Sequence, residues 1–446
     1  MNVVGIVAEY NPFHNGHAYQ LARARDRFGD QTPIVAVMSG PFVQRGEPAI
    51  ASKWLRTEAA LLSGVDLVIE IPFTFACASA ERFAQGAIRL LSDTGIVTDL
   101  YFGSECDDLS LLCCVAEEYD EENPEYISLL REKLREGKSY AKAREMAVGE
   151  YFRRSGRTEL AEASARIMSM PNSILALEYL IAIRKTGSKI RPAALLREGA
   201  GYNDCSTESA LMSATGIRNL VDRRIDDGKY RVTDIASDLI GRLPIISLSL
   251  LLSEWQKGVC PLTPRALIGE QIIRIRSESI ETLEKFAYMG DRLPGRLKNA
   301  VGRLRDTDPE HLLEAFREEA DTRRFAPTRI FRAMTSMLVG QLEKDLSDLV
   351  TPEYIRVLGF SDRGRNLLRM MRKTSALPVM DKASDFLSHG GNPALTRMAE
   401  LDLIASDLWA LKAGLRYGDE FERIVIRLTA AQTKRRDERV FPDSSA

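Results

Sequence analysis

The sequence predicts an α/β protein: an N-terminal doubly wound parallel sheet followed by a mostly α-helical part. Three observations carry this. Through the first half, short apolar runs rich in β-branched residues alternate with stretches of helical periodicity, as strands joined by crossover helices do. The strand-like runs fade after about Asp222. From there Leu, Arg and Glu recur at helical spacing, as in LIGEQIIRIRSESIETLEKFAYM and PTRIFRAMTSMLVGQL.

Taken in order, VVGIVAEY (3–10) is the first strand, stopped by Asn11 and Pro12, and a helical pattern resumes near His17 and runs to 28. PIVAVMS (33–39), DLVIEIP (66–72), DLYFGS (99–104) and RPAALLRE (191–198) are the further strands. Helical patterns at 52–63, 80–94, 107–135 and 172–186 lie between them. This alternation is that of a nucleotide-binding fold whose ligands sit at the carboxyl ends of the strands. The second half carries single short strands at PEYIRVLGF and FERIVIRL, and the tail TKRRDERVFPDSSA reads as frayed. The expected division is a catalytic domain over 1–222 and a helical domain over 223–446.

Composition narrows the class without naming a ligand. With 45% hydrophobic and 28% charged residues the chain is an ordinary globular protein. No basic leader with an apolar core opens it, and no apolar stretch of 18 residues interrupts it, so neither export nor a membrane span is expected. Six cysteines without a CxxC pair suggest neither a zinc site nor a disulfide framework, but reduced thiols in a cytoplasm. A net charge of -2 announces no nucleic-acid binder, yet between Asp321 and Lys373 there are 11 Lys and Arg against 6 Asp and Glu.

The sharpest local feature is NPFHNGH, which holds two of only four histidines at a strand-to-helix junction. The spacing of His14 and His17 alone serves a metal pair, a helix cap or a phosphate clamp. Their placement favours the clamp. A helix N-terminus offers free N–H groups, Gly16 removes a side chain where a ligand must approach, and each imidazole carries a donor nitrogen. Such donors would stabilise charge building on an α-phosphate as pyrophosphate leaves, with no general base required.

HNGH after GIVAEYNPF resembles the HxGH signature of the HIGH-motif nucleotidylyltransferase superfamily. SATGIR, Ser213 to Arg218, stands where the superfamily's second signature opens a helix after the last strand, with Ala214 replacing a commoner Ser. Ser213, Thr215 and Arg218 are therefore candidate triphosphate ligands. With GPFVQRGEPAIASKWLRTEAAL, GVDLVIEIPF, MPNSILALEYL and LLREGAGYND, the first 220 or so residues resemble the bacterial tRNA(Met) cytidine acetate ligase family.

That resemblance implies a two-step reaction. ATP and acetate form acetyl-adenylate and pyrophosphate, and the acetyl group then passes to N4 of the wobble cytidine, C34, of elongator tRNA(Met). It implies an ATP site from Ile6 or Val7 through Ala8, Glu9, Tyr10, Asn11, Pro12, Phe13, His14, Asn15, Gly16, His17, Ala18 and Tyr19 to Gln20, with Gly103, Asn172 and Arg197. His14, His17 and Arg218 are the candidate catalytic residues, and Mg²⁺ is expected to accompany ATP. Gln44, Arg45 and Lys53 belong to a segment expected to be mobile and to close over triphosphate or the acetate carboxylate. Asp66 and Glu70 flank the third strand, where acids can hold Mg²⁺ through water. No residue is singled out as a protein metal ligand. Arg323, Arg324, Arg329, Arg332, Arg363 and Arg365, interleaved with Phe325, Phe331, Tyr354 and Phe360, are the candidate tRNA contacts. Two other readings stay open on the residues alone: adenylylation of a small phosphorylated metabolite, and an inactive nucleotide-binding interaction protein.

Overall fold

In the computed structural model, residues 2–440 are described except 107, 119–122, 139, 197–211, 227–231, 260, 306, 323–324 and 390, with the side chains of 118, 141, 226, 389, 435 and 437–440 likewise left aside. The five expected N-terminal strands form: β1 (Val4–Ala8), β2 (Ile34–Ser39), β3 (Leu67–Ile71), β4 (Asp99–Ser104) and β5 (Arg191–Leu196). All are parallel where they pair. β2 and β3 are buried at every residue, which is why they read as continuous apolar runs rather than alternating ones.

Successive residues still serve two faces. Val35, Val37, Leu67, Ile69 and Ile71 join one core cluster, while Val4, Ile6, Ile34, Ala36, Met38 and Val68 join another on the opposite face. Burying each such side chain contributes roughly 1.5–3 kcal/mol.

The helical pattern expected over 107–135 is two helices, Leu109–Glu118 and Pro124–Arg135. The second starts where it does because the Asn123 side chain accepts from the N–H groups of Glu125 and Tyr126, and Pro124 takes the first helical position. Helices Tyr140–Arg154 and Thr158–Ser169 were not predicted. Their buried faces mix small residues, Ala143 and Ala147 in one and Ala161, Ala163 and Ser164 in the other, with Val148, Phe152, Ile167 and Met168.

The sheet does not stop at residue 222. β6 (Ile355–Phe360) adds antiparallel to β3, pairing Leu67 with Phe360 and Glu70 with Arg356, and β7 (Val379–Met380) and β8 (Ile426–Arg427) run parallel to β6. The order is β5-β4-β1-β2-β3-β6-β7, with β8 also on β6. The two short strands expected in the helical half are thus part of the N-terminal sheet.

At the amino end of β3 a closed charge cluster locks this joint. The Asp66 carboxylate accepts from Arg25 (3.1 Å), the Ile34 N–H (3.1 Å), the Ser361 hydroxyl (2.8 Å) and Arg436 (3.1 Å). Arg436 belongs to helix Ala430–Val440 and is fully buried, so the expectation of a frayed tail fails up to residue 440; residues 441–446 lie outside the described ones.

Candidate active site

β1 lies between β4 and β2, so the chain leaves it in opposite directions and a crevice opens beyond the carboxyl ends of β1 and β4. A cleft of about 420 Å³ fills that crevice, within the size range of small-molecule sites. Val7 to Asn11, His14, His17 and Gln20 line it from β1 and the following turn, and Gly103 lines it from β4. Asn172, Gln44, Arg45, Ser213, Thr215, Arg218 and Thr328 complete the wall.

Within the turn, His14 is the N-cap of helix Asn15–Phe28. Its Nδ1 accepts from the Gly16 N–H at 2.9 Å, and the Nδ1 of His17 accepts from the His14 N–H at 3.2 Å. Both rings spend Nδ1 as an acceptor, so the ring hydrogen sits on Nε2 in each. The cap thus sets the tautomer that makes each Nε2 a donor. The rings stack with centroids 3.9 Å apart, and the edge-on Tyr10 ring packs 4.9 Å from His17.

Gly16 has a different reason from the expected one. A Cβ there would stand 2.7 Å from His14 Cε1, so the glycine makes room for the imidazole rather than directly for a ligand. Around the turn, Phe13 is buried with its carbonyl accepting from Ser247 at 2.7 Å, and the Asn15 side chain donates to the Gly241 carbonyl at 2.7 Å. Pro12, Phe13, Asn15, Gly16, Ala18 and Tyr19 shape or flank the turn, and the cleft wall itself is made by the other members of the 7–20 segment.

The second signature faces the first. Arg218 donates to the Asn11 carbonyl at 2.9 Å and to Thr215 Oγ1 at 3.3 Å, and its Nε lies 3.8 Å from Glu47. Ser213 Oγ accepts from the Gly216 N–H at 3.1 Å, inside the first turn of helix Ala214–Asp226. Ile217 and Val221 of that helix pack against Ile50 and Leu55, which is how a segment 200 residues downstream is held over β1. On the far side Asn172 is second in helix Pro171–Lys185 and donates to Glu105 at 2.5 Å. Glu105 also accepts from the Ser173 N–H (2.7 Å) and hydroxyl (2.9 Å). Burial would raise its pKa, but the hydrogen bonds from Asn172 and Ser173 hold the carboxyl below its ordinary value. Sequence reasoning missed Glu105; its signal was an acid directly after a strand's carboxyl end.

A family model described as HIGH Nucleotidyl Transferase matches residues 1–419. A tRNA(Met) cytidine acetate ligase from Acetivibrio thermocellus is 37% identical over 433 residues, covering 96% of this chain and 100% of its own length. The chain belongs to the tRNA(Met) cytidine acetate ligase family. A ligase of the same name from Syntrophomonas wolfei is 36% identical over 92% of this chain and 95% of its own. Crystal structures of Thermotoga maritima TmcAL agree: the apo form superposes with TM-score 0.87 at 33% identity, over 96% of this chain and 100% of that one. The form bound with alpha-thio ATP gives TM-score 0.84 at 32% identity with the same coverage.

Several residues expected at the site of this family member fall elsewhere. Lys53 is buried away from the cleft, 2.8 Å from both oxygens of Glu70 near the carboxyl end of β3 and 3.0 Å from Glu420, so its ammonium is taken up by these two carboxylates. Glu70 and Asp66 are consumed by these clusters and are not poised for Mg²⁺. The segment after β2 is a tight hairpin rather than a free loop: Phe42 bridges Pro48, and Thr335 donates to the Gly46 carbonyl at 2.6 Å. Gly46, at φ +82°, presses on helix Pro327–Val339 so closely that a Cβ would stand 2.3 Å from the Arg332 nitrogen.

The candidate tRNA contacts split. Arg332 reaches under this hairpin to the Gln44 carbonyl (3.4 Å), and Arg329 pairs with Asp291 (2.9 Å), both on the helix whose Thr328 lines the cleft. Arg363 and Arg365 sit on helix Asp362–Thr374, whose first turn packs on Asp66 at the opposite end of the sheet. Arg197, Arg323 and Arg324 lie outside the described residues.

Proposed function

We propose that this protein is an ATP-dependent ligase that condenses acetate with ATP and passes the acetyl group to N4 of C34 in elongator tRNA(Met). One observation carries the reading: two imidazoles whose Nε2 hydrogens are fixed by backbone caps line one cleft with Arg218, Thr215 and Arg45. Cationic and N–H donors converging at a helix N-terminus suit a triphosphate whose charge moves during reaction.

In the first step an acetate oxygen bonds to the α-phosphorus and the bond to the β-phosphate oxygen breaks, releasing pyrophosphate. His14 and His17 donate to the phosphoryl oxygens on which charge grows, and Arg218 with Thr215 holds the departing end. Gly103 and the Asn172 wall offer the space for the nucleoside. Mg²⁺ accompanying ATP would be held by phosphate oxygens and water: among the described residues no group of three His, Cys, Asp or Glu side chains converges on a metal position.

In the second step the cytidine amine displaces AMP. An anticodon base is already unpaired and can be splayed into the cleft without opening a duplex. The helix that carries Thr328 and Arg329 is the tRNA side of this reading, with residues 1–222 supplying the ATP site and 223–446 most of the RNA contact. Among the described residues no helix is long and apolar enough to cross a membrane. A substrate that is a tRNA puts the place of work in the cytoplasm.

The test uses labelled ATP and acetate with and without bacterial tRNA. Acetate-dependent pyrophosphate exchange and acetyl transfer to tRNA(Met) are expected. Acetate-independent transfer of AMP to a phosphorylated metabolite would overturn the reading, and so would an absence of nucleotide turnover.

A further inference from the structure

Glu9 stands where a polyanion should exclude it. Among the described residues that line the cleft it is the one carboxylate, in a wall that otherwise offers His14, His17, Arg45 and Arg218. Among those residues its carboxylate makes no ion pair and a single hydrogen bond, from the Gln44 N–H to Oε1 at 2.9 Å. Its backbone is fixed as well, since the buried Arg56 donates to the Glu9 carbonyl at 2.7 Å and to the Ser39 carbonyl at 2.9 Å. A preorganised anion beside a triphosphate costs binding energy in the first step, when the ligand carries the most charge. It costs least in the second step, when pyrophosphate has gone and the acyl-adenylate bears one phosphate charge.

That second step needs a proton acceptor. When the N4 lone pair attacks the acetyl carbonyl carbon, the nitrogen becomes cationic; the bond from that carbon to the phosphate oxygen breaks, AMP leaves, and one N4 proton must go. Glu9 accepts from the Gln44 N–H, and both residues line the cleft together with Thr328. A base that enters this cleft shares it with that carboxylate.

We propose that Glu9 is the general base of acetyl transfer, its Oε2 accepting the N4 proton of the cytidine. The proposal rests on the ligase reading above. Removing a general base typically costs 10²–10⁴-fold in the step it serves.

The experiment separates the half-reactions in Glu9→Gln. Acetate-dependent pyrophosphate exchange reports adenylate formation and an intact fold, and chase of enzyme-bound labelled acetyl-adenylate with tRNA reports transfer. Transfer should fall about 10²-fold or more beyond any fall in exchange. Proportional loss of both would overturn the proposal and place Glu9 on ATP or its metal ion, and undiminished transfer would overturn it too. A wild-type protein without acetate-dependent exchange would instead bring down the ligase reading, and this one with it.

Discussion

At the amino end of β3, Asp66 is wholly buried and saturated by two guanidinium groups, a hydroxyl and a backbone N–H. At the carboxyl end of β1, some 15 Å along by the rise of a five-residue strand, His14, His17, Arg218 and Arg45 line an open cleft. Both ends gather charged groups from segments hundreds of residues apart. The amino end closes its charges on one another, and the carboxyl end turns donors toward a cavity. The difference separates stability from chemistry, and substitutions at the two ends should fail in different assays.

The largest effect belongs to the closed end. Asp66→Asn leaves Arg25 and Arg436 buried without their counter-charge and should cost about 3–5 kcal/mol, read as a lowered denaturant midpoint, with activity per folded molecule retained. A pH series sharpens this. Burial would raise the Asp66 pKa, but Arg436 and Arg25 outweigh it and hold it below the ordinary value. A carboxyl depressed in the folded state contributes stability that is complete above its unfolded value and is lost as pH falls through the folded one. The wild type should therefore shed this contribution below about pH 4, and the variant should lack that part of the slope.

His17→Ala tests the open end. It removes one fixed donor and should slow acetate-dependent pyrophosphate exchange about 10²–10³-fold. The lost cap should lower stability by only about 1 kcal/mol. A variant that exchanged at the wild-type rate would end the clamp assignment. Gly16→Ala should come next, since its methyl displaces the His14 ring without deleting a donor; exchange should fall by less than in His17→Ala, with the melt nearly unchanged.

The same comparison explains what was legible in the sequence. β2 and β3 were readable because burial on both faces writes itself as unbroken apolar runs. HNGH and SATGIR were readable because their chemistry is local: a cap, a glycine and a helix start lie within a few residues. Lys53 was misplaced because its partners, Glu70 on β3 and Glu420, come from distant parts of the chain, and no local pattern tells which carboxylate a lysine will reach. Arg436 was read as tail for the same reason: a basic run looks solvated until its partner, 370 residues earlier, is known.

The smallest expected effect is the most discriminating for the RNA. Arg329 belongs to the helix that borders the cleft, and Arg365 is exposed on the helix at the other end of the sheet. If the anticodon enters past the cleft rim, Arg329→Ala removes one phosphate contact: the KM for tRNA should rise a few-fold and the salt slope should drop by about 0.7, the value for one contact on a single strand. Arg365→Ala should change neither, because its ion pair among the described residues is with Asp362 one turn away in solvent, and such pairs contribute little. Should Arg365→Ala alter the salt slope while Arg329→Ala does not, the RNA would have to approach the closed end of the sheet, and the acetyl group would have no path to it from the cleft.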